Sequence, residues 1–526
     1  MEQTVDYVII GAGIAGLTLQ YALRGASTVL IDPAPFRYKI GESIIPQHFV
    51  EPEVRPLYDR AITLPSATLK VGTVFIDDAS VGSFALPPDT DRTLHVAREE
   101  LEVATADHFG AQITRERVES IDVEQRVVRT DKGKHRAREL ILDCSGPARL
   151  LSRALGIARE VWPVYASWAY HDVIDRDPER FWNAAEGGKQ LFHYDEERRL
   201  LDPSKPFRAL DPARCTVLTQ VRDGTWTWQI PLFDSTMLSV GVVSRHGPVS
   251  AQEYAAIVEG SIAPVYRTRQ RPFDRSGPFN GFHVRNRFAW AADRFAGDGW
   301  ALIGDAAFFG DPVYSVGTGF ATNHALQVGR MLQHGGWSHK HARGHDRLTS
   351  HLFERAKRAY DSWYYGRIFS DRGTPTEIQT DFLRGRVFQA QTIGAYTEMF
   401  MVSHLQDANN PMSPRHGEDA AADLTPMLEP DAGLVGWELA SARVLRTGVE
   451  LSWSRPDSSP MRVVVERVVE GRQYYRVVGD LGVSYRTETR GKIELEGQGR
   501  ALIDACVRLV EVHAARLRAR MDAVLV

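Results

Sequence analysis

Tyr7-Val8-Ile9-Ile10 is an uninterrupted apolar run of the kind a strand shows when it is buried on both faces. Gly11-Ala-Gly-Ile-Ala-Gly16 follows at once, and Leu17 to Arg24 then carries apolar residues at helical spacing. Gly25-Ala-Ser breaks that helix, and Thr28-Val-Leu-Ile31 predicts a second strand closed by Asp32. Glu139–Asp143 and Trp300–Ile303 repeat the short apolar strand pattern, each ending at an acid or a glycine. Between them, from about 160 to 290, apolar and polar positions alternate, as in Cys215-Thr-Val-Leu-Thr-Gln-Val and Met237-Leu-Ser-Val-Gly-Val-Val, which predicts an antiparallel sheet set into the first domain. Thr318 to about Leu405 reads as helical and aromatic-rich, and 406–434 as a linker or wandering loop. The last ninety residues hold two strand-like runs, 462–469 and 474–478, and a terminal helix from about Arg500. The pattern predicts an α/β protein: a first domain over 1–330 with its inserted sheet, a helical covering region over 331–410, a linker at 411–435, and a small α/β domain at 436–526 of winged-helix type. It contains no internal repeat.

Charge changes this picture little. The 526 residues carry 63 Lys and Arg against 67 Asp and Glu, for a formal charge of −4, so there is no basic footprint for nucleic acid. Cys144, Cys215 and Cys506 are scattered without CxxC spacing, which fits a reducing compartment and neither a disulfide framework nor a zinc site. No apolar run approaches the roughly 20 residues of a membrane span, and the first residues lack a basic segment before the first strand, so the sequence predicts a cytoplasmic protein without a signal peptide. His339, His341 and His345 lack a HExxH pattern or a cysteine partner and read as a solvated, basic loop, with no metal site expected.

The glycine pattern carries the first chemistry. Gly11, Gly13 and Gly16, placed between strand and helix with Ala15 inside the turn, form a dinucleotide fingerprint. The glycines permit a tight turn, close backbone approach to a pyrophosphate and helix-on-strand packing, while the helix N-terminus offers free N–H groups. Asp32, twenty-one residues after Gly11, is placed to accept from ribose hydroxyls. These residues alone leave NAD and FAD both open.

Gly304-Asp305 after a strand, and Arg98 in Val96-Ala-Arg-Glu-Glu-Leu101, resemble the flavin-site residues of the flavoprotein monooxygenase superfamily, in the same order as there. Trp226-Thr-Trp-Gln-Ile-Pro231 matches WxWxIP, and Phe309-Gly-Asp-Pro-Val-Tyr-Ser-Val-Gly317 matches FxxPxxSxG. With the N-terminal fingerprint, these motifs resemble the FAD-dependent halogenases over about residues 5–370; the C-terminal ninety residues carry none of them. The resemblance implies a Rossmann-like FAD-binding domain and a cofactor site of Gly11, Gly13, Ala15, Gly16, Asp32, Glu42, Ser43, Arg98, Gly304, Asp305, Pro312 and Gly317. It also implies FAD supplied as FADH2 by a separate flavin reductase, since Asp143-Cys-Ser-Gly-Pro stands where single-component hydroxylases have Asp-Gly. With O2 the reduced cofactor forms a hydroperoxide, which oxidises chloride or bromide to hypohalous acid. Trp226, Trp228 and Pro231 are then expected to wall the flavin from the organic substrate, and the Ser315-Val316-Gly317-Thr318-Gly319 turn to hold the halide on backbone N–H groups. Lys70, in Lys-Val-Gly-Thr-Val-Phe75, stands where phenol-type halogenases have Lys-x-Gly-x-x-Phe, and is expected to guide the electrophilic halogen.

Tyr314 stands where tryptophan halogenases carry a glutamate before the loop serine, so the implied substrate is an activated ring, a phenol or a pyrrole, free or tethered to a carrier protein. Tyr360, Trp363, Tyr364, Tyr365 and Phe369 form an aromatic stretch in which core packing is the favoured reading and a substrate wall the second, with Tyr314 beside it. A flavin hydroxylase or epoxidase using the same oxidant without halide is the alternative function; a reductase or cyclase would leave WxWxIP and FxxPxxSxG unexplained. Neither nucleic acid nor membrane is expected as a partner.

Overall fold

The computed structural model describes residues 2–365 apart from 50, 87–91, 195–209, 223, 263–265, 273–276, 278 and 336, and beyond them the strand residues between 422 and 488. The chain divides into two compact units, Met1–Val387 and Phe388–Val526.

The first unit is built on two large sheets. In one, Glu2–Ile10 lies parallel between Thr28–Ile31 and Lys134–Asp143, and Trp300–Leu302 extends the parallel core beyond Lys134–Asp143. Continuous apolar strands are needed here because both faces are covered. Ile9, Leu17, Leu30, Leu140 and Leu142, all buried, join the Ile14–Ala22 helix to the sheet. The Gly317–Gly335 helix packs on Ile14–Ala22 so closely that a Cβ on Gly329 would lie 2.3 Å from Cβ of Ala22.

The second sheet has nine strands and is mixed, which differs from the expected span and type. Cys215–Arg222, Thr225–Leu232, Met237–Ser244 and Tyr165–Arg176 form the predicted antiparallel run. Two strands from far upstream, Gly72–Ile76 and Ser80–Ala85, join it, with Gly72–Ile76 parallel to Cys215–Arg222 and Ser80–Ala85 parallel to Gln190–Tyr194, and Tyr266–Gln270 and His283–Arg285 pair with Tyr165–Arg176 at the other end. One face buries Val74, Val217, Val240 and Val242 with Phe181 and Tyr254 of the Pro178–Glu186 and Ala251–Ile262 helices. Side-chain alternation sends the neighbouring positions to the opposite face. The register puts Trp226, Trp228, Leu218, Thr216, Ser239, Gly241, Trp168 and Tyr170 there together.

The predicted helical region contains Gly317–Gly335 and His339–Tyr365; its continuation from 366 lies outside the described residues. Among the described residues no helix is long and apolar enough to cross a membrane. The second unit holds an antiparallel sheet of Ala422–Asp423, Glu438–Leu445, Gly448–Ser454, Met461–Glu470, Arg472–Gly479 and Ser484–Glu488, paired in chain order. Both strand runs expected there are present in a larger sheet; the helix expected from Arg500 and most of the 411–435 linker lie outside the described residues.

Candidate active site

The glycine turn is set by close backbone approach. Gly11 has φ +98°, and a Cβ there would sit 2.5 Å from the Cys144 carbonyl oxygen; one on Gly16 would sit 1.9 Å from the Gly11 carbonyl oxygen. Asp32 holds the turn, its carboxylate accepting from Ala12 N and Ala34 N at 2.9 Å each. Beside Gly13 stands the buried Glu102 carboxylate, bridged by Lys39 at 2.6 Å and Arg98 at 3.3 Å. Arg98 opens the Arg98–Phe109 helix and leans over Gly41, and its buried Nε has no hydrogen-bond partner among the described residues. Gly304, at φ +60°, abuts Ala15 and Ala321, which brings the Gly304-Asp305 pair to the same turn. Burial pushes the Asp305 carboxyl up to about 6, against the pull of Arg98, Arg285 and Lys39. Narrow glycine backbone, two cations and an orphaned guanidinium nitrogen fit the pyrophosphate of a bound FAD. Gly11→Ala is expected to purify with little flavin. The unfavourable φ costs about 1–2 kcal/mol before the clash with Cys144 is counted, and each 1.4 kcal/mol is about tenfold in affinity. Flavin absorbance per protein measures it.

Trp226 and Trp228 lie two residues apart on one strand, their rings 6.1 Å apart at 54° and both buried. Gly241, directly opposite Trp228, leaves room for the indole, since a Cβ there would fall 2.1 Å from its edge. Trp228 Nε1 donates to Ser239 Oγ at 3.3 Å. Trp168 Nε1 donates to the Tyr38 hydroxyl, which pairs with the Tyr170 hydroxyl, each at 2.7 Å; Tyr170 in turn donates to Glu42 Oε1 at 2.7 Å. Burial raises the Glu42 carboxyl above its ordinary range, while the Tyr170 and Ser239 hydroxyls and the Gly41 amide hold it back. The tryptophan wall and the Gly41-Glu42-Ser43 turn are thereby joined by hydroxyl chains meeting at one carboxyl.

Lys70, just before the Gly72–Ile76 strand, is among the most deeply buried side chains, 1 % exposed, and is linked through Ser43 to Thr216 on the tryptophan face of the sheet. It forms no ion pair among the described residues; Nζ donates to Ser43 Oγ at 3.0 Å. Ser43 Oγ meets Thr216 Oγ1 at 3.0 Å, and Thr216 Oγ1 meets His95 Nε2 at 2.9 Å. Desolvation lowers Lys70 to about 7. Desolvation also holds His95 well below its ordinary value, and the Lys70 charge pushes it further down.

The expected halide turn lies between two helical segments. Asp311 accepts from Val313 N at 2.9 Å, Ser315 takes φ +56°, and Gly317 begins the 19-residue helix, whose first N–H groups have no intrahelical acceptor. Thr318 Oγ1 is buried and without a partner among the described residues. Such a helix start suits an anion. Trp226 Nε1 donates to the Tyr364 hydroxyl at 3.2 Å, and that hydroxyl donates to Asp311 Oδ2, so wall and turn are fastened to each other. Burial pushes Asp311 up to about 6, opposed by Tyr364, the Val313 amide and Arg245.

Tyr314 stacks on Tyr360 at 6.0 Å and 21°, and Gly310 makes space for the Tyr360 ring. Tyr360 and Tyr364 are buried. The side chains of Trp363 and Tyr365, and all of Phe369, lie outside the described residues. His339, His341 and His345 depart from the expected loop: all three are on the His339–Tyr365 helix, and His345 is buried against His324 with ring centroids 4.9 Å apart. One glycine inside a helix costs only about 1 kcal/mol, so Gly344 does not break it. Tyr38, His95, Trp168, Tyr170 and Thr216 were not singled out from the sequence; as lone polar or aromatic positions in alternating strands or loops they carry no motif.

No family model matches the chain. It is 28% identical over 250 residues to the 1H-pyrrole-2-carbonyl-(peptidyl-carrier protein) chlorinase of Pseudomonas fluorescens, covering 45% of this chain and 50% of that protein. It is 26% identical over 358 residues to the corresponding brominase of Pseudoalteromonas luteoviolacea, covering 63% and 78%, and 32% identical over 127 residues to a flavin-dependent halogenase of Armillaria mellea, covering 21% and 24%. The match thus spans about half the length of the first of these relatives. Among solved structures, the flavin-dependent brominase Bmp2 superposes with a TM-score of 0.52 at 20% identity, covering 69% of this chain and 88% of that one. The halogenase PltM superposes with 0.56 at 17%, covering 77% and 84%. A flavoprotein/dehydrogenase from Cytophaga hutchinsonii gives 0.56 at 18%, covering 78% and 95%. In sequence this chain is thus similar to flavin-dependent halogenases, and it shares its fold with the solved structures of Bmp2 and PltM.

Proposed function

We propose that the chain is a two-component, FADH2-dependent halogenase that places chloride- or bromide-derived halogen on a phenol or a pyrrole. The observation that carries this reading is the Lys70 amine, buried, bonded to the Ser43 hydroxyl that meets Thr216 on the tryptophan face, and without a carboxylate partner among the described residues. Gly11, Gly13, Asp32, Arg98 and Asp305 would hold the FAD; when bound and reduced it supplies, with O2, the oxidising power that turns halide into hypohalous acid. The N–H groups at Val316–Gly319 hold the halide as a partly desolvated anion. Trp226 and Trp228 keep the organic substrate away from the flavin, so that halide alone reaches the oxidant. Lys70 meets hypohalous acid beyond that wall and presents its halogen to the ring. With Tyr314 in place of a carboxylate, the ring must be activated by its own oxygen or nitrogen.

The curated relatives from Pseudomonas and Pseudoalteromonas are named for carrier-bound pyrrole carbonyls, which favours a tethered pyrrole over a free one. Mass spectrometry tests this with purified protein, a flavin reductase, NADH, O2 and either halide. The substrates are free phenols, free pyrroles and a carrier-loaded pyrrole-2-carbonyl thioester. Halogen isotope patterns on an aromatic product are expected; hydroxylation without halogen would overturn the reading in favour of a hydroxylase.

A further inference from the structure

Lys70, Ser43, Thr216 and His95 form an unbranched row of buried groups, none more than 6 % exposed, drawn from four separate segments of the chain. Two arrangements of its hydrogens are related by the passage of one proton along the row. With Lys70 as an ammonium donating to Ser43, Ser43 must donate to Thr216 and Thr216 to Nε2 of His95. The imidazole proton then sits on Nδ1, a buried nitrogen with no hydrogen-bond partner among the described residues. If one proton moves along the row, all three hydrogen bonds reverse: His95 Nε2–H donates to Thr216, Thr216 to Ser43, and Ser43 to the lone pair of a free Lys70 amine. No heavy atom has to move.

We propose that Ser43, Thr216 and His95 are positioning residues that draw the ammonium proton off Lys70 and return it, so that the amine is free while hypohalous acid is present. The inference rests on the halogenase reading above. It matters chemically because an ammonium has no lone pair to take halogen. The free amine does: R–NH2 + HO–X gives R–NHX + H2O, with an N–X bond formed, the O–X bond broken, and hydroxide leaving with an amine proton. Transfer to the ring, R–NHX + Ar–H giving R–NH2 + Ar–X, forms C–X, breaks N–X and puts the ring proton on nitrogen. The proton held on His95 then returns to Lys70. The titratable groups facing Lys70 are His95 and, from the Cys215–Arg222 strand, the buried Cys215, whose Sγ donates to the Asp211 carbonyl. Desolvation brings the lysine down to about 7, which makes its proton easier to release, and holds His95 so low that the imidazolium returns its proton readily.

Thr216→Val cuts the row with little change of shape, and Thr216→Ser restores the hydroxyl. With reductase-supplied FADH2, O2, bromide and the best substrate, Thr216→Val is expected to lose halogenated product by roughly a hundredfold at about pH 5, two units below the lysine's value of about 7, and by much less near pH 7. Hypohalous acid trapped by a soluble β-diketone should rise correspondingly. Activity should recover at about pH 9, where the amine is free without help, and Thr216→Ser should keep the wild-type pH profile. A Thr216→Val enzyme with unchanged rate and profile, or a loss that neither alkaline pH nor serine restores, overturns the relay. A measurement independent of activity is 15N NMR of histidine-labelled wild-type protein below pH 7. The relay requires the Nδ1–H tautomer at His95; the Nε2–H tautomer overturns it even in an active halogenase. If wild-type protein yields neither product nor trapped hypohalous acid while His95 is Nδ1–H, the halogenase reading fails and the proton row stands.

Discussion

Lys70→Met should abolish transfer of halogen to the aromatic, by about 10²–10⁴-fold, while reduced flavin is still consumed and hypohalous acid escapes into solution. Methionine has similar length and no proton to give, so the wall and the halide turn keep their places. Product yield against scavenged hypohalous acid, measured in one reaction, separates loss of delivery from loss of oxidant. The same substitution should stabilise the fold, because Lys70 is buried without a counter-ion among the described residues. The sign follows from the folded-state value of about 7 against an unburied 10.5. Below about pH 7 lysine is charged in both states and the burial cost is felt in full. Between 7 and 10.5 the unfolded chain binds the proton more tightly, so the cost shrinks as pH rises, and above 10.5 it is gone. Lys70→Met is therefore expected to gain about 1–4 kcal/mol in mildly acidic buffer, less about 1 kcal/mol for the lost bond to Ser43, and nothing at strongly alkaline pH. Denaturant melts across pH check it.

The second large effect concerns the wall. A methyl group on Gly241 cannot coexist with the Trp228 indole, whose edge would lie 2.1 Å away. Gly241→Ala should cost about 1–3 kcal/mol through overpacking, and Trp228→Ala about 3–5 kcal/mol through the cavity it leaves. The double variant should cost less than the sum, because the new methyl fills part of the emptied space. In function, both singles should breach the partition, lowering halogenated product per flavin oxidised and raising hydrogen peroxide or hydroxylated product. Strict additivity in stability, or full coupling of oxidation to halogenation in Trp228→Ala, would contradict the role of this pair as a partition.

Much of the nucleotide half was readable in advance, because Gly11, Gly13 and Gly16 lie between a strand and a helix and their freedom is used where the backbone nearly touches Cys144. Alternation also identified the Cys215–Arg222 and Met237–Ser244 strands, since one face of each is packed on helices. It could not reveal that Gly72–Ile76 and Ser80–Ala85 join the same sheet, because a strand's pattern records that a face is buried and not which segment buries it. The same blindness hid Thr216 and His95. Each is one polar position in a strand, and what makes them a row is the pairing of Ser43 with His95 across a short sheet whose Ser43 hydroxyl meets Thr216, 173 residues later in the chain. His345 was misplaced for the opposite reason: glycine and basic residues suggested a loop, whereas stacking on His324 and the surrounding apolar contacts hold a helix together.

The parallel pairing of Gly72–Ile76 with Cys215–Arg222 also has a consequence for biosynthesis. The lysine-bearing segment leaves the ribosome more than a hundred residues ahead of the strand that completes its surroundings, a wait of about 10–30 s at ordinary elongation rates. Both edges of its hairpin are unpaired until Gln190–Tyr194 is made, and the Gly72–Ile76 edge stays so until Cys215–Arg222 follows, open to aggregation or to a chaperone. Slowing translation between these segments should therefore lower the soluble yield, whereas slowing it beyond Val387, where the first unit ends, should leave the yield of that unit unchanged.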